Sequence, residues 1–86
     1  MAAEQAEQAE QAFDQLYEET EQNMRQYLQN IKNDLSPEEY NKQVQKCERD
    51  LQVIQIDLSD DEITLEEATN KVTKMNDSFI KSNATF

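Results

Sequence analysis

The chain contains no glycine in 86 residues, and its one proline is Pro37. A residue with a Cβ pays about 1–2 kcal/mol to enter the left-handed region. Tight hairpins of primed type, which need positive φ, are therefore hard to build. The fold class that follows is all-α: helices joined by short polar turns. The proline stands inside Leu35-Ser36-Pro37-Glu38-Glu39-Tyr40, where four devices agree on a helix start. Ser36 is a strong N-cap, and Glu39 three residues on completes a capping-box pattern. Pro37 falls at the first helical position, where its missing N–H costs nothing, and it holds Ser36 out of helical geometry. Leu35 and Tyr40 occupy the two places of a hydrophobic staple. Glu38 and Glu39 suit the positive end of the helix dipole. Residues 33–37 thus read as a corner between two helices.

Before the corner, Phe13, Tyr17, Thr20, Met24, Tyr27, Ile31 and Leu35 recur in steps of three and four, with Leu16 and Leu28 beside them. That spacing is one stripe on one helix face. After it, Tyr40, Val44, Cys47, Leu51, Ile54 and Leu58 step by 4, 3, 4, 3, 4, a heptad seam. Val53 and Ile56 lie off this seam, so the second helix is apolar on two sides and needs two covers. One is the first helix; the other is a third helix or another chain. The run Leu51–Leu58 also alternates as a strand would, but no Gly or Pro bounds it and no partner strand is evident.

A third helix announces itself in residues 59–68. Ser59 with Glu62, or Thr64 with Glu67, fits a capping box; Thr64 is favoured because Leu65, Ala68, Val72, Met75 and Phe79 then form a seam, with Ile80 alongside. The expected architecture is an antiparallel helical hairpin closed by a third helix, a small coiled-coil-like three-helix bundle. Its helices span about 13–34, 37–57 and 65–81. Residues 1–12, with Ala3, Ala6, Ala9 and Ala12 every third position, read as an acidic helical extension that buries little and is frayed or solvated; the rival reading is a docking arm that orders on a partner. Residues 83–86 read as a frayed tail.

Composition narrows function. Nineteen acidic against eight basic residues give a net charge of −11. Such a surface repels phosphate backbones and anionic lipid, so neither direct nucleic-acid binding nor membrane insertion is expected. No run reaches the roughly 20 apolar residues of a membrane span. A single cysteine and the absence of a secretory-signal pattern point to the cytoplasm. With no His, no phosphate loop and an unactivated thiol, no enzymatic activity, cofactor or metal is expected. Cys47 lies on the seam and reads as a small buried hydrophobe. An EF-hand frame begun at Asp57 fails: Glu62 occupies the sharp-turn position and Ala68 the bidentate one. Ser59, followed by Asp60, Asp61 and Glu62, resembles the target of an acid-directed kinase. Asn76 and Asn83 match the glycosylation pattern by chance.

The remaining signals concern binding. Eleven Gln and seven Asn provide faces that hydrogen-bond without demanding a charged partner. Residues 1–24 hold seven acids and no base, and residues 57–67 hold six acids and no base. The hairpin with its Pro37-Glu38-Glu39-Tyr40 corner resembles in outline, over residues 13–58, the two-helix chaperones of secretion-needle subunits. It is also similar to the three-helix N-terminal domains of membrane-fusion proteins. Both resemblances imply a helical protein that binds other proteins. The functional expectation is a small acidic adaptor, chaperone or assembly subunit that engages a partner helix or basic protein surface, or another copy of itself, through a hydrophobic groove beside the second helix. Its anchors would be Leu51, Val53, Ile54 and Ile56, with Tyr17, Tyr27 and Tyr40 as amphipathic contacts. The alternative is an acidic mimic that occupies the nucleic-acid site of a basic protein, through Asp57, Asp60, Asp61, Glu62, Glu66 and Glu67.

Overall fold

A computed structural model describes the backbone of residues 2–85 and the side chains of residues 7–85. Three α-helices follow one another: α1 (Ala2–Ile31), α2 (Pro37–Ser59) and α3 (Leu65–Ala84). A short 3-10 turn, Lys32–Asp34, tightens the end of α1. No strand occurs among the described residues, so Leu51–Leu58 belongs to a helix. Ala3, Ala6 and Phe86 fall outside the described side chains.

The corner is built as its chemistry dictates. Leu35 and Ser36 are extended, and Ser36 Oγ accepts the Glu39 N–H at 3.2 Å. The reciprocal arm of the capping box, from the Glu39 carboxylate to Ser36, is not formed. Lys32 Nζ lies 5.8 Å from the centre of the Tyr40 ring, within range of a cation–π contact that ties the two helices across the bend. At the second connection Thr64 and Glu67 make the full reciprocal box.

Between α2 and Thr64 the chain meets the problem that the lack of glycine poses. Asp61, at φ 59°, is the one described residue in the left-handed region. The Glu62 N–H bonds to the Asp57 carbonyl at 2.8 Å, and the Asp61 N–H to that of Leu58 at 3.3 Å. This pair of bonds is the Schellman ending of a helix, whose left-handed seat usually holds Gly. Asp, with a short polar side chain, is among the few other residues that tolerate it.

The core draws on all three seams: Phe13, Tyr17, Met24 and Leu28 from α1, Cys47, Leu51 and Ile54 from α2, Ala68, Val72 and Phe79 from α3. The closest helix pair is α1 with α3 rather than the two arms of the hairpin. These two helices run parallel, because Asn23 pairs with Asn76 and, seven residues on in both, Asn30 pairs with Asn83. Thr20, fully buried, satisfies its hydroxyl on the Leu16 carbonyl at 2.7 Å. Among the described residues no buried side-chain polar atom lacks a partner.

α1 outruns its partners. Phe13 is its first buried residue, and residues 7–12 are exposed on every side. The 30-residue helix is about 45 Å long at roughly 1.5 Å per residue. Its first turns therefore project from the bundle, with Glu10 at their base beside Leu58 and Asp61.

Candidate functional site

The residues expected to anchor a partner separate into three groups. Tyr17, Leu51 and Ile54 are buried in the core, where their apolar bodies hold the helices together. Tyr27 and Tyr40 are half-buried, Tyr27 packing its ring 5.5 Å from that of Phe79. Val53 and Ile56 face outward at 43% and 54% exposure. With those core residues taken, Val53 and Ile56, both off the seam, are the exposed large apolar side chains of α2.

Those two side chains belong to a row. Lys42, Lys46, Arg49, Val53 and Ile56 follow steps of 4, 3, 4, 3, the same period as the inner seam but turned to the outside of α2. All five are exposed. One end of this stripe is cationic and the other aliphatic. Ile80 of α3, which the seam spacing placed beside Phe79, is also turned outward at 45% exposure.

Beside the stripe, α2 and α3 enclose an open cleft of about 370 Å³. Cys47, Met75 and Phe79 form its floor, and Lys46 and Lys74 stand on its walls with one carboxylate, Asp50. Burial raises the Cys47 thiol above its ordinary pKa, and the charge of Asp50 adds to the effect. Both effects favour the protonated thiol over the thiolate. Among the described residues the one ion pair is Arg25 with Glu21 at 3.7 Å, i, i+4 on α1. Lys46 and Lys74 thus carry no carboxylate partner within that range.

The acidic residues gather at the other end. Asp57 is half-buried, whereas Asp60, Asp61, Glu62, Glu66 and Glu67 are exposed around the α2–α3 connection. Glu10 and Asp14 of α1 share a hollow with Asp61. Two acidic blocks more than thirty residues apart in sequence are thus brought to one pole of the molecule. No group of His, Cys, Asp or Glu among the described residues is arranged to hold a metal ion. Nor is any described helix long and apolar enough to cross a membrane.

Sequence spacing did not reveal the polar seam between α1 and α3. Asn76 is 6% exposed, and its Oδ1 accepts the Asn23 Nδ2 at 2.7 Å. Asn83 donates to the Asn23 carbonyl at 3.1 Å and accepts from Asn30 at the same distance. The glycosylation-like asparagines are thus the residues that register α3 against α1. The signal that could have found them is the shared seven-residue step, Asn23 to Asn30 and Asn76 to Asn83, the spacing at which polar core residues fix alignment. No family model matches this chain, and no curated protein or solved structure matches it.

Proposed function

We propose that this chain is a non-enzymatic, cytoplasmic interaction module, an adaptor, chaperone or assembly subunit, that binds a partner helix along the outer face of α2. The observation that carries the reading is the exposed stripe Lys42, Lys46, Arg49, Val53 and Ile56. A partner helix with apolar residues toward one end and acids toward the other would complement it. Burying Val53 and Ile56 would contribute roughly 1.5–3 kcal/mol each before the cost of association.

The test is affinity capture with the wild-type chain, followed by titration of the captured partner with Val53→Asp and Ile56→Asp variants. Binding that tolerates salt and fails in both variants, with helicity intact, supports the reading. Binding unchanged by either substitution refutes it.

A second reading, mimicry of nucleic acid, is favoured by the convergence of Glu10, Asp14 and Asp61 at one pole. An acidic pole of this kind would compete for the phosphate track of a basic protein. Its mark would be affinity that collapses with rising salt and is abolished by charge reversal at Asp60 and Asp61. Catalytic turnover that survived both sets of substitutions would overturn the non-enzymatic reading.

A further inference from the structure

The cationic cleft lies along the middle of the bundle and toward the end away from the acidic pole. Its residues run from mid-helix, Asp50 of α2 and Lys74 of α3, to the late turns of α1 and α3, Tyr27 and Ser82 among them. The projecting start of α1 leaves the bundle at the far end, where Glu10 and Phe13 lie near Leu58 and Leu65. The projection carries Glu7 and Glu10 one turn apart, no base, and only Ala and Gln otherwise over residues 7–12, all exposed.

We propose that the projecting acidic turns of α1 dock in the α2–α3 cleft of a second copy of this chain, reciprocally, as an antiparallel dimer. Two copies side by side in opposite directions bring each projection to the other's cleft. The exchange is then closed and two-fold rather than an open filament. Charge chooses the occupant: the glutamates of the projection meet Lys46 and Lys74, which have no ion pair among the described residues of their own chain. The interface is small, below about 1,200 Å², so the dimer is weak and reversible. The net charge of −11 on each copy opposes association at low ionic strength. Salt of about 0.1 M, with a screening length near 10 Å, suppresses that repulsion more than the contact pairs.

Sedimentation equilibrium of the full chain at about 0.1 M salt, up to about 1 mM protein, tests the proposal. The expected mass rises toward twice the monomer's. The double variants Glu7→Lys/Glu10→Lys and Lys46→Glu/Lys74→Glu change only exposed positions, and circular dichroism verifies their fold. Each alone is expected to weaken self-association at least tenfold, and an equimolar mixture to restore a heterodimer. A wild-type chain that stays monomeric throughout overturns the proposal. So does a dimer indifferent to both double variants, or a mixture that fails to reassociate. Val53→Asp/Ile56→Asp is expected to leave the dimer intact, which separates the cleft from the aliphatic end of the α2 stripe, with which it shares Lys46; loss of the dimer in that variant overturns the cleft assignment.

Discussion

Asp61 offers the sharpest test of how a chain without glycine turns a corner. Its φ of 59° imposes a left-handed cost of about 1–2 kcal/mol on a residue with a Cβ, less for Asp than for Ala. Its carboxylate also stands at the negative end of the α2 dipole, close in sequence to Asp57, Asp60 and Glu62, which costs roughly 0.3–1 kcal/mol at an exposed site. Three substitutions separate these contributions. Asp61→Asn removes the charge and keeps left-handed tolerance, so it is expected to stabilise by about 0.5 kcal/mol. Asp61→Gly relieves both, offset by the greater freedom of glycine in the unfolded chain, for a net gain of about 1 kcal/mol. Asp61→Ala removes the charge but deepens the strain, and is expected to be neutral or destabilising by up to about 1 kcal/mol. For a domain of this size about 1 kcal/mol moves the melting midpoint by roughly 4–8 °C, which thermal melts followed by far-ultraviolet circular dichroism resolve. Added salt should shrink the gap between wild type and Asn while leaving the gap between Gly and Ala unchanged, because only the first is electrostatic. Alanine as stable as glycine would refute the left-handed assignment.

Two further outcomes follow from buried polar groups. Asn76→Ala strands the Asn23 amide at the α1–α3 seam and should cost about 1–3 kcal/mol in denaturant unfolding, whereas Asn83→Ala, at a more open position, should cost less. The alkaline limb of stability should carry the mark of Cys47. Its pKa is raised in the fold from the ordinary 9.0, so the folded state holds the proton more tightly. That contribution is complete below the ordinary value and is lost as pH rises through the shifted one. Cys47→Ala should flatten the first part of this decline and leave a later part from Tyr17, whose pKa is raised from 10.0, chiefly by burial. An unchanged pH profile in that variant would show that the thiol is no more buried in solution than in the unfolded chain.

The sequence by itself determined what is decided within a turn or two of helix. Ser36 and Thr64 cap because the N–H they accept is three residues away, and Cys47, Leu51 and Ile54 are buried because heptad spacing puts them on one face. Only the tertiary structure decided which helices pair most closely and which polar residues go inside. Met75 continues the apolar spacing, yet the neighbouring Asn76 takes the more buried seat because Asn23, 53 residues away, meets its amide there. No periodicity within α3 records that partner. The same holds for the candidate binding surfaces. That Val53 and Ile56 remain uncovered, that Lys46 and Lys74 share a cleft, and that Glu10 meets Asp61 at one pole depend on how three helices are set side by side. Burial and electrostatic neighbourhood are properties of that arrangement, whereas capping and amphipathicity are properties of the chain.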